Sequence, residues 1–279
     1  MGTNITQAEI AAYCAALRAD EKAAGTLEKY RRDLTAFSRW LDGRIVTKEI
    51  AADWKTHLLN RGYAPRTINS MLAAVNSFFR FAGWNIKVKF LKIQRQLFRD
   101  ATRELNRAEY TQLLAAARSN GQERLALIME TLCATGIRIS ELCYITVAAA
   151  QQGKATISLK GKIRTILLST KLCRKLLKYA KKQKIATGEI FLTSSGKGIS
   201  RRQVWHELKR LCAAAGVESS KVFPHNFRRL FAVTYYKASR DIARLADVLG
   251  HSSIETTRIY LTVSGADQVR QLDRLGLVS

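Results

Sequence analysis

A mainly α-helical fold in two domains, with one small β-hairpin in the second, is what this sequence predicts. Three observations lead there. Apolar residues recur at spacings of three and four through most of the chain. The segment ATISLKGKIRTILLS instead reads as strand, tight turn and strand. The 279 residues, 47% of them hydrophobic, supply length and material for two cores.

The first helical stripe is Ile10, Tyr13, Cys14 and Leu17. Leu27, Tyr30, Leu34, Phe37 and Leu41 form a second, with Thr26 as candidate N-cap and Gly43 as candidate stop. Another helical stretch opens at Thr47 and ends at Gly62. Pro65 suits a first helical position, and Ile68, Leu72, Val75 and Phe79 then share one face until Gly83. These stripes predict a helical domain over 1–85. Residues 86–104, IKVKFLKIQRQLFRDATRE, are basic, poorly periodic and free of Gly and Pro, and predict an interdomain linker.

The second domain is expected over 105–279. Asn106 and Glu109 have the spacing of a capping box, as do Ser200 and Gln203. Gly136 ends an apolar helix. The hairpin turns at Lys160-Gly161-Lys162, and EIFLT around Ile190 is a candidate third strand. Pro224 opens a helix, Gly250 closes another, and Ser252 or Ser253 caps the next. Between Gly265 and Gly276, Val269, Leu272 and Leu275 lie on one face of a short amphipathic tail helix. Ten residues are too few for a stable isolated helix, so that face should dock on something.

Lys and Arg number 47 against 22 Asp and Glu, a formal charge of +25. Such an excess repels itself and predicts a polyanionic partner. The surplus is spread: 16 basic against 8 acidic residues up to Phe98, and 31 against 14 beyond it. A clamp with DNA held by both domains fits this better than one basic tail or a lipid-binding amphipathic helix. Five cysteines without a C-x-x-C pair argue against a disulfide framework or a thiolate zinc site. No basic leader with an apolar run and no stretch near 18 apolar residues is present, so a cytoplasmic protein without membrane spans is expected.

Several positions could carry chemistry. Arg138 follows Gly136 in TLCATGIRISELCYI. His225 and Arg228, three apart in FPHNFRRLFA, share a face near a helix N-terminus, where cations and free N–H groups suit an anion. His251 and Tyr260 lie in LGHSSIETTRIY, and Lys160 and Lys162 in the hairpin turn. Each has an ordinary reading, as surface arginine, core tyrosine or solvated lysine. Together they make a metal-free phosphoryl-transfer set. Arginines neutralise phosphate oxygens, histidines bond them or move a proton, a lysine protonates a leaving alkoxide, and a tyrosine attacks phosphorus. No carboxylate cluster for two metals is visible.

R-I-S-E-L, a lysine-bearing hairpin, H-N-F-R-R and L-G-H-S-S-I-E-T-T-R-I-Y, in that order over residues 106–265, resemble the tyrosine recombinase (phage integrase) family. The resemblance implies an N-terminal core-binding domain with a SAM-like helical fold and a catalytic domain of the DNA breaking-rejoining fold. It implies a site-specific recombinase using no cofactor, metal or nucleotide energy source. Arg138 and Arg228 would stabilise the scissile phosphate, His225 would assist proton transfer, and His251 would bond a non-bridging oxygen. Tyr260 would form the 3′-phosphotyrosyl bond, and Glu141 would support the site. Aligning Arg164-Thr165-Ile166 with the return strand puts Lys160 at the general-acid position; in a hairpin about one residue short, Lys162 is the alternative. Family behaviour further implies a dimer on one full site, a tetramer when two sites meet, and a C-terminal segment packed on the neighbouring protomer. Two rival readings are a type IB topoisomerase-like enzyme and a non-catalytic DNA-binding regulator, for which DIARLADVLGHSSIETTRIY looks like a helix-turn-helix.

Overall fold

Thr6 opens the first helix by accepting from the Glu9 N–H while the Glu9 carboxylate accepts from the Thr6 N–H, so two donors left over by helix geometry are satisfied reciprocally. The structure, a computed structural model, describes residues 5–94, 101–159, 162–261, 268–270 and 273–275. The chain divides into two units, Met1–Arg95 and Gln96–Ser279.

The first unit consists of helices α1 (Gln7–Ala19), α2 (Ala24–Leu41), α3 (Lys48–Asn60) and α4 (Pro65–Phe81). The expected stripes face inward: Ile10, Tyr13, Leu34, Phe37, Leu41, Ile68, Leu72, Val75 and Phe79 are buried in one core with Trp54 and Phe78. Pro65 is the first residue of α4, as its fixed φ favours. Thr26 is not the cap of α2. The helix starts one turn earlier, with Ala23 at the N-cap and no side-chain bond.

The segment after α4 is tied down at its start. Asn76 donates to Val88 O at 2.9 Å and accepts from Val88 N at 2.8 Å; Asn69 does the same for Leu91, at 2.9 and 2.8 Å. Each amide thus replaces a strand neighbour for one residue of extended chain. The spacing fits: seven residues of helix and three of strand both advance about 10 Å. Residues 88–91 therefore lie along α4, and the division between units falls later, after Arg95.

The second unit runs α5 (Arg107–Ser119), α6 (Glu123–Thr135), a 3-10 turn (Ile139–Tyr144), α7 (Val147–Gln152), β1 (Lys154–Leu159), β2 (Lys162–Leu167) and α8 (Thr170–Lys182). It continues with α9 (Arg201–Ala215), α10 (Pro224–Ser239), α11 (Ile242–Leu249) and α12 (Ile254–Leu261). Both expected capping boxes form, Asn106 with Glu109 and Ser200 with Gln203. Helices α5, α6, α8 and α9 enclose one core, and α10 packs on α6 while leading to a smaller cluster around Leu245, Leu249 and Tyr260.

The antiparallel hairpin pairs Leu159 with Lys162 and Lys154 with Leu167. Lys162 is therefore a strand residue, not part of the turn; Lys160 lies outside the described residues. EIFLT is not a third strand. Ile190 N bonds Ile145 O and Ile199 N bonds Phe191 O, leaving only isolated bridges. Ile190 and Phe191 are buried, so their apolar character serves the core rather than the sheet. The expected tail helix lies partly outside the described residues, and Leu272 with it; Val269 and Leu275 are exposed. Among the described residues no helix is long and apolar enough to cross a membrane.

Candidate active site

The site begins with a glycine. Gly136 closes α6 in the left-handed region (φ 63°), and a Cβ there would fall 2.3 Å from the Phe231 ring. The chain can thus turn sharply and present Arg138 as the N-cap of the 3-10 turn. Glu141, 1% exposed, accepts from Arg138 N at 2.7 Å and from Arg138 Nη1 at 3.1 Å, while the arginine side chain stays 42% exposed. A buried carboxylate needs cations. The second is Arg164 of β2, whose Nη2 lies 2.7 Å from Glu141 Oε2.

Arg228, on the first turns of α10, is 2% exposed. It donates to Gly136 O, to Leu249 O at 2.7 Å and to His251 Nε2 at 3.0 Å. An arginine offers only donors, so Nε2 must accept. His251 is then neutral with its proton on Nδ1, which donates to the buried Thr257 Oγ1 at 2.8 Å. Desolvation, followed by the charges of Arg228, Arg138 and Arg164, pushes the His251 pKa down to about 4. His225, at the rim, is lowered too, by desolvation first and then by Arg228, Arg229 and Arg138.

Tyr260 on α12 is 5% exposed. Its ring stacks on His251 (centroids 5.7 Å apart, 10° between planes) and lies 5.3 Å from that of His225. The Arg228 guanidinium lies near enough to its phenol for the two to interact electrostatically. Arg229 donates to Tyr260 O at 3.3 Å and pairs with Glu104 at 2.8 Å, which fixes the end of the helix bearing the phenol.

An open cleft of about 730 Å³ adjoins these groups, lined by Arg138, His225 and Arg228 and by Arg201, Arg202 and Trp205 of α9. Positive side chains and an exposed indole on one wall suit a phosphate backbone. Among the described residues no group of His, Cys, Asp and Glu is arranged to hold a metal ion.

Of the residues expected from sequence, Arg138, Glu141, His225, Arg228, His251 and Tyr260 converge here. Lys160 lies outside the described residues, and of Lys162 only the backbone is described. Sequence reasoning used Arg164 merely to align the hairpin and missed its place in the site, together with Thr257 and Arg229. The sequence carried no signal for Arg164, because alternation puts two apolar residues, Ile163 and Leu167, on the other face, and yet it is the face of Ile166 that is buried. The hairpin is further anchored by Tyr144, whose hydroxyl donates to Ser158 O.

Comparison with known proteins matches residues 103–266 to the phage integrase family and residues 10–85 to the phage integrase N-terminal SAM-like domain. Tyrosine recombinase XerA of Pyrococcus furiosus is 29% identical over 272 residues, covering 94% of this chain and 92% of the relative. The fold matches XerH recombinase in a post-cleavage complex with palindromic difH DNA, at TM-score 0.75 and 17% identity, covering 98% of this chain and 84% of that one. It also matches a lambda integrase tetramer bound to a Holliday junction, at TM-score 0.71 and 21% identity, with 92% and 78% covered.

Proposed function

The chain belongs to the phage integrase family, and on that premise we propose that it is a site-specific tyrosine recombinase, cutting and rejoining DNA strands through a 3′-phosphotyrosyl intermediate. The observation that carries this reading is the convergence on Tyr260 of side chains from segments up to 122 residues apart, with two arginines, two histidines and a basic cleft beside them.

In the proposed step Tyr260 Oη attacks phosphorus, the Oη–P bond forms and the P–O5′ bond breaks. The phenolic proton passes to His225, whose lowered pKa keeps it neutral and able to accept. Arg138 and Arg228 offset the charge that builds on the non-bridging oxygens, the largest single contribution expected. A bound phosphate raises the proton affinity of His251, which then donates to a non-bridging oxygen. Lys160 protonates the departing 5′-oxygen. The phosphotyrosine conserves the bond energy, so a 5′-hydroxyl of another strand can reverse the step. No cofactor or metal takes part.

The partner is double-stranded DNA, contacted by both basic units, 1–85 as core-binding domain and 105–279 as catalytic domain. The cytoplasm is the natural compartment. Two protomers occupy one full site and four join two sites. The exposed Val269 and Leu275 support docking of the tail on a neighbouring protomer rather than on its own unit.

The test uses a nicked duplex whose sequence is drawn from random duplexes retained by the wild-type chain; the nick lets the 5′ product diffuse away. The wild-type protein should give an SDS-resistant adduct in EDTA. Tyr260→Phe should bind equally and give none. An adduct in that variant rejects Tyr260 as nucleophile, and a need for metal rejects the mechanism.

A further inference from the structure

Arg164 shares the inward face of the hairpin with Ala155, Ile157 and Ile166, all three buried. An arginine in that row has to be held by partners, and its side chain is only 16% exposed. Two anchors from distant segments hold it. Nη2 donates to Glu141 Oε2 at 2.7 Å and Nη1 to Val248 O at 3.2 Å.

Each anchor adjoins the anchor of a phosphate-facing arginine. The other oxygen of Glu141 receives Arg138 Nη1, and the carbonyl after Val248, that of Leu249, receives Arg228 Nη2. Val248 and Leu249 end α11, where unpaired carbonyls concentrate negative charge. Gly250 follows with φ 65°, and a Cβ there would lie 2.5 Å from both Cδ and Nη1 of Arg164. The turn leading to His251 therefore has room for this guanidinium and for little else. One planar fork thus spans the partner of Arg138 and the helix end that holds Arg228.

We infer that Arg164 is a positioning residue that fixes the separation of Arg138 and Arg228, and with it the seat of the two non-bridging oxygens, without touching the phosphate itself. The inference rests on the recombinase reading above. A brace that only steadied the fold would lose DNA binding and cleavage together. A brace that acted through the hairpin would matter for protonation of the leaving oxygen and not for the phosphate seat.

These three roles separate on the nicked duplex made in two forms, one ordinary and one with sulfur at the bridging 5′ position, which leaves without protonation. At saturating protein, Arg164→Ala should form adduct roughly 10- to 100-fold more slowly on the ordinary duplex, as for a displaced catalytic group. Its affinity for DNA should stay within about threefold of wild type, since phosphate contacts elsewhere dominate binding. The same fold-loss should persist on the sulfur duplex, where Lys160→Ala should recover. Arg164→Lys keeps the charge and reaches Glu141 but cannot fork to Val248 O, so its rate should fall between wild type and Arg164→Ala with the melting temperature retained. Recovery of Arg164→Ala on the sulfur duplex would assign it to the hairpin and overturn the inference. So would a wild-type rate in both variants, or parallel losses of binding and cleavage in both. An adduct surviving Tyr260→Phe on either duplex would overturn the recombinase reading and this inference with it.

Discussion

Asn76 and Arg228 are both buried polar side chains on a helix of their unit, yet they serve different ends. The amide of Asn76 takes one N–H and one C=O from Val88 and gives back the matching pair. Nothing charged is left, and the chain is fastened to itself. Arg228 meets two backbone carbonyls and an imidazole. Those dipoles solvate its charge without cancelling it. Beside Tyr260 a single carboxylate, Glu141, is shared by Arg138 and Arg164. Buried charge of this kind seldom adds to stability. The first unit spends its interior on holding together, whereas the site holds a surplus of positive charge that an anionic ligand would complete.

The sharpest way to break this comparison is in the first unit. Phe79 is fully buried against Phe37 and Trp84. Phe79→Ala should cost about 3–5 kcal/mol of unfolding free energy, read from denaturant melts. A loss below about 1 kcal/mol would mean that this core is not what holds the unit.

Arg228→Met sharpens the other side, because it keeps length and apolar bulk while removing charge. Cleavage should lose about 3–4 kcal/mol of transition-state stabilisation. Stability should fall by only about 1–3 kcal/mol, because the cost of leaving Gly136 O, Leu249 O and His251 Nε2 without this donor is partly offset by removing a buried charge. A stability loss as large as the one expected for Phe79→Ala would show that the charge holds the fold after all.

The smallest effect is a pH dependence. His251 has its pKa lowered to about 4 from 6.5, and His225 is lowered as well. Below pH 6.5 the unfolded chain binds protons that the folded chain refuses, so stability falls with falling pH. The contribution is fully present above pH 6.5 and disappears toward pH 4, amounting to about 2 kcal/mol for the partly exposed His251. His251→Asn should flatten this part of a melting-temperature profile between pH 4 and 6.5. An unchanged slope would mean that the ring is not held neutral.

Much of this could be read directly. Thr47, Asn106 and Ser200 begin helices where their side chains predict, because a cap bonds an N–H only three residues on. Arg138, His225 and His251 lie within two residues of Gly136, Pro224 and Gly250, which shape their backbone, whereas Tyr260 stood out only through the resemblance of the ordered motifs to a known family. Thr26 shows the limit of such signals: α2 starts at Ala24 although a better capping residue lies two positions on.

By itself, then, the sequence determined the helices, their inward stripes, the surplus of positive charge and the types of side chain available for phosphoryl transfer. It did not determine which face of β2 turns inward. The apolar Ile163 and Leu167 are 75% and 78% exposed, while Arg164 turns in. Nor did it determine the tautomer of His251 or the clip made by Ile190 and Phe191. Those were decided by partners such as Glu141 and Val248, which lie 23 and 84 residues from Arg164. Capping and periodicity act within a few residues and leave a local trace. A buried charge is stable only where distant acceptors meet it, and that meeting exists only once the chain has folded.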